Sequence, residues 1–315
     1  MITPRISVIA PIYGVERYIA KFADSLLGQT YQNIEFIFVN DGTRDRSIEV
    51  LEGVIEGKYS HLRDNIKIIH KANGGLPAAR KTGLECATGD YIYHVDSDDW
   101  LEYDAVEKIV AHIEATRADV VYFGFAKEYK DRTRIKRQRV YSVDTRDEYI
   151  ADMYNHRAAA AVWNKCIKHS LYLDNTIHTP RVAYAEDCYL AAQLIGHATK
   201  ISYLDEILYH YRKDNPNAIM RQQHKRRKRE YAENFIDLYL NYRDMEPKDN
   251  PVACIMDDIV IQSGWYSLLY NLKLFKKYPW LASAIRKARI RTHHSDVPLV
   301  AQLATKLYAL FKRQD

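Results

Sequence analysis

The strongest constraint on the fold of this chain is an alternation of strand-like and helix-like segments in its first 125 residues. Short runs rich in Ile, Val, Phe and Tyr end at Pro, Gly, Asn or Asp, and each is followed by apolar residues at three- and four-residue spacing. Strands that alternate with helices pair in parallel. The sequence therefore predicts an α/β fold with a doubly wound, mostly parallel sheet, whose first four strands are residues 6–13, 34–39, 66–70 and 90–95.

Polar or turn-forming residues follow each of these four strands. In chain order, the segments are Pro11-Ile12-Tyr13, Asn40-Asp41-Gly42, Asn73-Gly74-Gly75 and Asp96-Ser97-Asp98-Asp99. Because the carboxyl ends of parallel strands meet at one edge of the sheet, we expect the four loops to form one ligand-binding cleft. The sequence has no G-x-G-x-x-G after the first strand and no G-x-x-x-x-G-K-S/T, so neither a dinucleotide-binding fold nor a P-loop is favoured.

The fourth strand runs directly into the carboxylates Asp96, Asp98 and Asp99, followed by Trp100. Carboxylate oxygens at the carboxyl edge of a sheet suit a hard divalent cation that bridges phosphates. The alternative is an acidic turn that caps the next helix, because Asp is a good N-cap and turn residue. The acidic run alone leaves both interpretations open.

Composition is typical of a soluble globular protein of one or two domains, with 47% hydrophobic and 28% charged residues in 315. The four cysteines are scattered without a C-x-x-C pair, which favours neither a zinc site nor a disulfide framework and indicates a reducing compartment. The first residues have no signal-peptide pattern, and no run of 18 uncharged apolar residues occurs. These features predict a cytoplasmic protein.

Charge is unevenly distributed along the chain. Residues 221–315 hold 18 Lys+Arg against 10 Asp+Glu, a net +8, and the first 220 residues hold the remaining 28 against 31, a net −3. The basic C-terminal part is expected to meet an anionic partner, either membrane phosphate or nucleic acid. Its last apolar stripe, from Val300 to Phe311, fits a membrane-surface helix or a helix packed on its own bundle.

Three segments in the middle of the chain also stand out. Residues 127–139 alternate charges with little apolar content, which predicts an exposed excursion or a mobile loop. Polar residues occur within apolar surroundings at Trp163-Asn164-Lys165 and at Glu186-Asp187. The second pair is predicted to begin a helix, with carboxylates in its first turn.

Seven segments together resemble the inverting glycosyltransferases of family 2, which adopt the GT-A fold. The resemblance covers residues 5–220 and is carried by segments 7–13, 40–43, 73–83, 89–99, Trp163-Asn164-Lys165, Glu186-Asp187 and Tyr209-His210-Tyr211-Arg212. The sequence departs from the family pattern at Gly75-Leu76-Pro77, where Gly-Leu-Ser is more usual, and at Asn217-Ala218-Ile219, which lacks the common Ser before Ile.

The resemblance implies a nucleotide-sugar donor, most often UDP-linked, with the base near Tyr13 and Asp41. It implies a divalent metal, Mn²⁺ or Mg²⁺, held by Asp98, with His210 as a further ligand. Glu186-Asp187 matches the catalytic base, and Trp163, Asn164 and Lys165 are predicted to bind the acceptor. The predicted donor-binding set is Pro11, Tyr13, Glu16, Asp41, Asn73, Arg80, Asp96, Ser97 and Arg212.

Structural alternatives remain for several of these residues. Asp41 could form a local turn into Gly42, and Arg80 could be an exposed helix charge. Trp163 is equally typical of a core aromatic residue and of a sugar platform, and His210 fits a packed strand position.

The sequence thus predicts an inverting, metal-dependent glycosyltransferase acting on a glycan or lipid-linked acceptor, in the cytoplasm or at the cytoplasmic face of a membrane. Two rivals are a sugar-nucleotide pyrophosphorylase-like enzyme and a non-catalytic polysaccharide- or nucleic-acid-binding protein. Nucleic acid is not expected as a partner, and the oligomeric state is left open. The predicted parts are a nucleotide-sugar-binding half at 1–100, an acceptor-binding half at 101–220 and a helical basic extension at 221–315.

Overall fold

The computed structural model describes residues 3–154, 157–175, 177–178 and 186–216. The strands in these residues are β1 Ile6–Ile12, β2 Ile34–Asn40, β3 Ile66–His70, β4 Tyr91–His94, β5 Trp100–Leu101, β6 Val120–Glu128, β7 Thr133–Lys136, β8 Lys165–Lys168 and β9 Ile201–Arg212. The α-helices are α1 Ile19–Leu27, α2 Ser47–Lys58, α3 Leu76–Glu85, α4 Ala105–Thr116, α5 Arg146–Tyr154, α6 Ser170–Leu173 and α7 Glu186–His197.

One sheet contains all nine of these described strands, in the order β3-β2-β1-β4-β8-β6-β9-β5, with β7 paired to β6. Parallel pairing joins β1 to β2 and β4, β2 to β3, and β6 to β9. Because β8 is antiparallel to both β4 and β6, the strands β6 and β9 run in the same direction as the first four. The carboxyl ends of six strands therefore lie at one edge, which confirms the predicted mostly parallel α/β sheet.

The central strands are buried because helices cover the sheet. Every residue of β1 is buried, in agreement with its nearly continuous apolar sequence. Helix α3 lies so close to β1 and β2 that a Cβ built on Gly83 would overlap Ile9 Cγ2 and would be 3.3 Å from Val39 Cγ2. This close approach fixes the position of α3 relative to the carboxyl edge.

The opposite edge of the sheet carries a buried carboxylate that the sequence did not single out. Glu35 is 1% exposed and accepts hydrogen bonds from Ser7 Oγ, the Thr88 and Gly89 backbone amides, and Lys67 Nζ. Burial alone would raise the pKa of Glu35, but these hydrogen bonds lower it to about 2. This carboxylate is fully satisfied and structural.

The charged segment 127–139 contains the end of β6 and the whole of β7, which pair as an exposed β-hairpin. Tyr129 N donates to Arg132 O at 2.9 Å across the turn, and all four residues of β7 are exposed. Of the two predicted forms, the exposed excursion is the one that the structure has.

Some predictions fall on residues outside the described part of the chain. They include Asn217-Ala218-Ile219 and the whole predicted extension at 221–315. Within the described residues, no helix combines the length and the apolar character that a membrane crossing requires.

Candidate active site

The carboxylates predicted to do chemistry converge on one buried arginine at the carboxyl edge of the sheet. Arg80, on α3, is only 4% exposed. Its NH2 group donates at 2.8 Å to Oδ1 of Asp96, which follows β4. Its NH1 group donates to Glu186 Oε1 at 3.4 Å. The NH1 group also donates to Asp187 Oδ1, at the start of α7. Arg80 is therefore a buried bridge between carboxylates, and not an exposed helix charge.

The bridge holds an excess of negative charge. Burial raises the pKa of Asp96 to about 6, with help from the charges of Asp187 and Asp98, although Arg80 acts in the opposite direction. Burial and the charge of Asp187 likewise raise the pKa of Glu186. Unlike Glu35, these carboxylates lie where nearby donors do not compensate their burial, as is common at functional sites.

Residues of strand β9 bind Asp99 and the backbone amide of Asp96. Tyr209 OH donates to Asp99 Oδ2 at 2.7 Å, and Arg212 N donates to Asp99 Oδ1 at 2.7 Å. Asp96 N donates to the same Tyr209 oxygen at 3.1 Å. Asp99 is 1% exposed, so it fixes the loop to β9.

Asp98 is also held, but it stays partly exposed. Asn215 Nδ2 donates to Asp98 Oδ2 at 2.7 Å, and Arg212 Nε donates to the Asp98 backbone oxygen at 2.9 Å. Sequence reasoning did not assign roles to Tyr209 or Asn215. The matched Tyr-His-Tyr-Arg segment was the signal that could have drawn attention to Tyr209.

A divalent cation fits the chemistry of this loop. Burial raises the pKa of Asp98, and the Asp98 charge raises that of Asp96, so a cation held by these two carboxylates would offset their negative charge. Among the described residues, no group of three or more His, Cys, Asp or Glu side chains forms a ready-made metal site. Mg²⁺ is usually held by one or two carboxylates together with substrate phosphates, which is what Asp96 and Asp98 could supply.

The second and third loops are joined through Asp41. Its carboxylate accepts hydrogen bonds from Gly74 N at 2.9 Å, Gly75 N at 2.8 Å and Lys71 Nζ at 2.7 Å. Asn73 Nδ2 donates to the Asp41 backbone oxygen at 2.9 Å. Asp41 and Asn73 therefore meet as expected, and Lys71 is a contact that the sequence did not suggest.

The first and fourth loops are joined as well. Ser97 Oγ donates to the Pro11 backbone oxygen at 2.7 Å. Tyr13, at 56% exposure, is free to contact a ligand. Glu16 accepts a hydrogen bond from Arg46 N at 3.1 Å, near the start of α2.

Both ring nitrogens of His210, the predicted metal ligand, lie within hydrogen-bond distance of a glutamate. Its Nδ1 lies 2.8 Å from Glu128 Oε1 and its Nε2 lies 2.8 Å from Glu102 Oε1. The imidazole also stacks on Trp100, with ring centroids 5.0 Å apart. Metal binding by His210 would require it to give up one of these partners, so the role stays a prediction. The Arg212 guanidinium lies 4.9 Å from the centroid of the same Trp100 ring.

The three predicted acceptor-binding residues are buried. Trp163 stacks on Tyr209 with centroids 4.4 Å apart, and Asn164 Nδ2 donates to Phe123 O at 3.1 Å. Lys165 is 0% exposed, and its Nζ donates to Ala159 O, Ala161 O and Asn164 Oδ1. Burial lowers the pKa of Lys165 to about 7. These contacts make the triplet internal support, and direct acceptor contact by it stays a prediction.

Comparison with known proteins identifies the family of this chain. The family model described as "Glycosyl transferase family 2" matches residues 7–173, more than half of the chain. The chain belongs to this family. The match begins at Ser7 in β1 and extends through α6, so it contains Arg80 and the acidic run but ends before Glu186.

Two curated relatives of this family 2 chain come from Bacillus subtilis. One, an "Uncharacterized glycosyltransferase EpsJ", is 35% identical over 222 residues, which are 69% of this chain and 63% of that protein. The other, a "Putative glycosyltransferase EpsH", is 31% identical over 231 residues, or 71% of this chain and 65% of that protein. The chain thus spans just under two thirds of the length of these relatives.

Solved structures show the same fold. S. aureus TarS 1-349 in complex with UDP-GlcNAc has a TM-score of 0.62 at 20% identity, over 89% of this chain and 79% of that chain. The mannosyltransferase PcManGT from Pyrobaculum calidifontis, in complex with GDP-Man and Mn²⁺, has a TM-score of 0.54 at 17% identity, over 98% of this chain and 80% of that chain. This family 2 chain therefore has the GT-A type of mixed α/β fold that the sequence predicted.

Proposed function

We propose that this chain is an inverting glycosyltransferase that moves a sugar from a UDP-sugar to a hydroxyl of a glycan or lipid-linked acceptor. The observation that carries the proposal is the buried Arg80 bridge, which joins Asp96 on the donor side to Glu186 and Asp187 on α7. A proton acceptor and a group that faces the departing diphosphate are thereby held in one cluster. Membership of glycosyl transferase family 2 and the nucleotide-sugars bound to TarS and PcManGT support the donor class.

In this proposal, Asp187 is the general base. As the acceptor oxygen attacks the anomeric carbon, its proton passes to the Asp187 carboxylate and a new carbon–oxygen bond forms. The bond from the anomeric carbon to the diphosphate breaks, and its electron pair leaves with UDP. Attack from the face opposite the diphosphate inverts the configuration, so an α-linked donor gives a β-linked product.

Arg80 keeps the base in position during this step. A carboxylate has about four lone-pair sites, so Asp187 can retain its hydrogen bond from Arg80 while it accepts the proton. The same guanidinium fixes Asp96, so the base and the donor loop keep a constant spacing. Positioning of this kind contributes to catalysis because it removes the entropic cost of bringing groups together in the transition state.

The residues proposed to hold Mn²⁺ or Mg²⁺ are Asp98 and Asp96. When bound, the cation would stabilise the negative charge that develops on the departing diphosphate. On the protein side, Asn215 orients the Asp98 carboxylate and Tyr209 orients the loop. Arg212, whose side chain reaches the Asp98 backbone, is proposed to contact the diphosphate.

The location proposed for this activity is the cytoplasmic side of a membrane. The net +8 of residues 221–315 supports it, since basic segments are attracted to anionic lipid.

Isothermal titration calorimetry with UDP tests the donor and metal parts. Wild-type protein should bind UDP in Mn²⁺ and much more weakly in EDTA. Asp98→Asn should lose about tenfold or more of the Mn²⁺-dependent affinity, as expected when a metal-binding group is altered. The matched control is Asp64→Asn, an exposed acid distant in sequence from the loop. Unchanged UDP affinity and unchanged metal dependence in Asp98→Asn would place the metal elsewhere.

Turnover tests the base. Hydrolysis of UDP-sugars, with water as acceptor, should fall about 10²-fold or more in Asp187→Asn, while UDP affinity is retained. Glu186→Gln is the comparison, because Glu186 shares the same arginine. Near-normal hydrolysis by Asp187→Asn together with a large loss in Glu186→Gln would move the role of base to Glu186.

A further inference from the structure

The hairpin formed by residues 127–139 carries positive charge that its surroundings do not neutralise. It has seven Lys+Arg against two acids. One acid, Glu128, is bonded to His210 and Thr133. Two of the basic residues, Arg137 and Arg139, pair with carboxylates outside the hairpin. Within the described part of the chain, no ion pair joins the other five to a carboxylate: Lys127, Lys130, Arg132, Arg134 and Lys136.

Four of these five residues share one face of the hairpin. Lys127 lies directly opposite Arg134, and Phe125 lies opposite Lys136. Because side chains alternate along a strand, Lys127, Arg132, Arg134 and Lys136 all lie on this face, which we call the cationic face. Like charges directly opposite each other are destabilising. Burial, and the positive charges of Lys213, Lys136 and Arg134, accordingly lower the pKa of Lys127.

The cationic face also offers an aromatic surface. The Tyr129 ring centroid is 5.2 Å from the Arg132 guanidinium and 5.7 Å from that of Arg134. These cation–π contacts bring both guanidinium groups beside one aromatic ring, where each can bind a carboxylate or phosphate in bidentate fashion.

The cationic face leads directly to the candidate active site. On the neighbouring strand β9, Lys127 pairs with Tyr211 and Phe125 pairs with Tyr209. Tyr209 is the residue whose hydroxyl binds Asp99 and Asp96. Tyr209 therefore links the acidic run to Phe125, which lies two residues before Lys127 of the cationic face.

We propose that the cationic face binds an anionic acceptor glycan through its phosphate or carboxylate groups, while a hydroxyl of that glycan reaches Asp187. This inference rests on the proposed function and names its acceptor class. The face is too long for the donor diphosphate alone, because Arg132 and Lys136 are four residues apart, or roughly 13 Å along a strand. A polymer with repeated charges matches such a row of cations, and electrostatic attraction would speed its capture.

The test compares two variants of the full chain that lose the same number of positive charges. The first is Arg132→Gln/Arg134→Gln/Lys136→Gln, at three exposed positions of the hairpin. The control is Arg63→Gln/Lys81→Gln/Lys200→Gln, at three exposed positions outside it. The probes are fluorescent inorganic polyphosphate and a fluorescent oligogalacturonate, with neutral dextran as the uncharged comparison, measured by anisotropy.

The hairpin variant is expected to bind both anionic probes about tenfold or more weakly than wild type, while the control variant changes at most about twofold. UDP affinity in Mn²⁺ should be equal in all three proteins. Equal binding by the hairpin variant and wild type, or equal losses in both variants, would overturn the proposal. Failure of wild-type protein to bind UDP would instead overturn the proposed function.

A vesicle sedimentation experiment distinguishes binding to a glycan from binding to a lipid surface. Vesicles of phosphatidylcholine with phosphatidylglycerol should bind wild type and the hairpin variant equally. Loss of vesicle binding in the hairpin variant, with polyphosphate and oligogalacturonate binding unchanged, would show that this face meets a membrane and would overturn the assignment to an acceptor.

Discussion

The guanidinium of Arg80 binds carboxylates from two distant parts of the chain, with Asp96 on one side and Glu186 and Asp187 on the other. All four residues were named in the sequence analysis, but Arg80 was expected to bind the donor. Its carboxylate partners could not be predicted, because α7 follows more than a hundred residues later and its docking depends on the finished sheet.

Arg80→Gln should lower the free energy of unfolding by about 3 kcal/mol or more at pH 8, because it leaves buried carboxylates without their counter-charge. The loss should be smaller at pH 5, where the carboxylates with raised pKa values take up protons. Urea unfolding of Arg80→Gln and of the exposed neighbour Lys81→Gln measures both effects. A destabilisation that is the same at both pH values would contradict this account of the bridge.

Other residues show where sequence reasoning stops. Asp41 and Asn73 were expected in one cleft and do meet, because both follow strands that lie side by side. Trp163 was expected as a core aromatic residue or a sugar platform and Lys165 as an acceptor-binding residue, and both are buried. A polar segment within apolar surroundings is compatible with a buried position or with an acceptor site. The packing of Trp163 on Tyr209 of β9 shows that the position is buried.

Among the elements, the parallel strands were predictable and β8 was not. A four-residue strand with Lys at both ends gives almost no periodic signal. It lies between β4 and β6 only because its backbone completes hydrogen bonding on both sides. Local sequence predicts elements that bury their own apolar pattern, whereas β8 depends on strands far away in the chain.

Helix α3 gives the prediction for this scale. Gly83→Ala should destabilise the protein by about 1 to 3 kcal/mol, because the new Cβ would overlap Ile9 in β1. The controls are Gly53→Ala and Gly57→Ala in α2, where nothing lies within 4 Å of the new Cβ, and each should stabilise by about 0.5 to 1 kcal/mol. The urea midpoints of the three variants, compared with that of wild type, test these expectations. Wild-type stability in Gly83→Ala would mean that α3 is not tightly packed on β1.

For the whole molecule, the two edges of the sheet have opposite electrostatic behaviour. Glu35, at one edge, has a pKa lowered to about 2, so its stabilising contribution is present above about pH 4.5 and is lost as the pH falls further. Asp96, at the other edge, has a pKa raised from 3.8 to about 6. The folded state then holds this proton more tightly than the unfolded state does.

The stability contributed through Asp96 should therefore fall as the pH rises from about 4 to about 6. Thermal unfolding of wild type and Asp96→Asn across pH 4 to 8 checks this. The variant loses a partner of Arg80, so its absolute melting temperature will differ, and the slopes are compared instead. The melting temperature of wild type should fall more steeply between pH 4 and 6 than that of Asp96→Asn. Parallel curves would mean that Asp96 is ionised throughout.

The fold as a whole was the most predictable level, because alternating strands and helices leave few topologies. The contacts among the candidate site residues were not predictable, since Arg80 and its carboxylate partners come from separate elements: α3, the loop after β4, and α7.

The span of the Arg80 bridge also sets an order of events during synthesis. Arg80 and Asp187 are 107 positions apart, so at about 5–20 residues per second the ribosome adds the second roughly 5 to 20 s after the first. For most of that interval Asp96, 16 positions after Arg80, is the one carboxylate of the bridge in the nascent chain. The Arg80 bridge is therefore completed late in the synthesis of the sheet domain, after β1 to β8 and before β9.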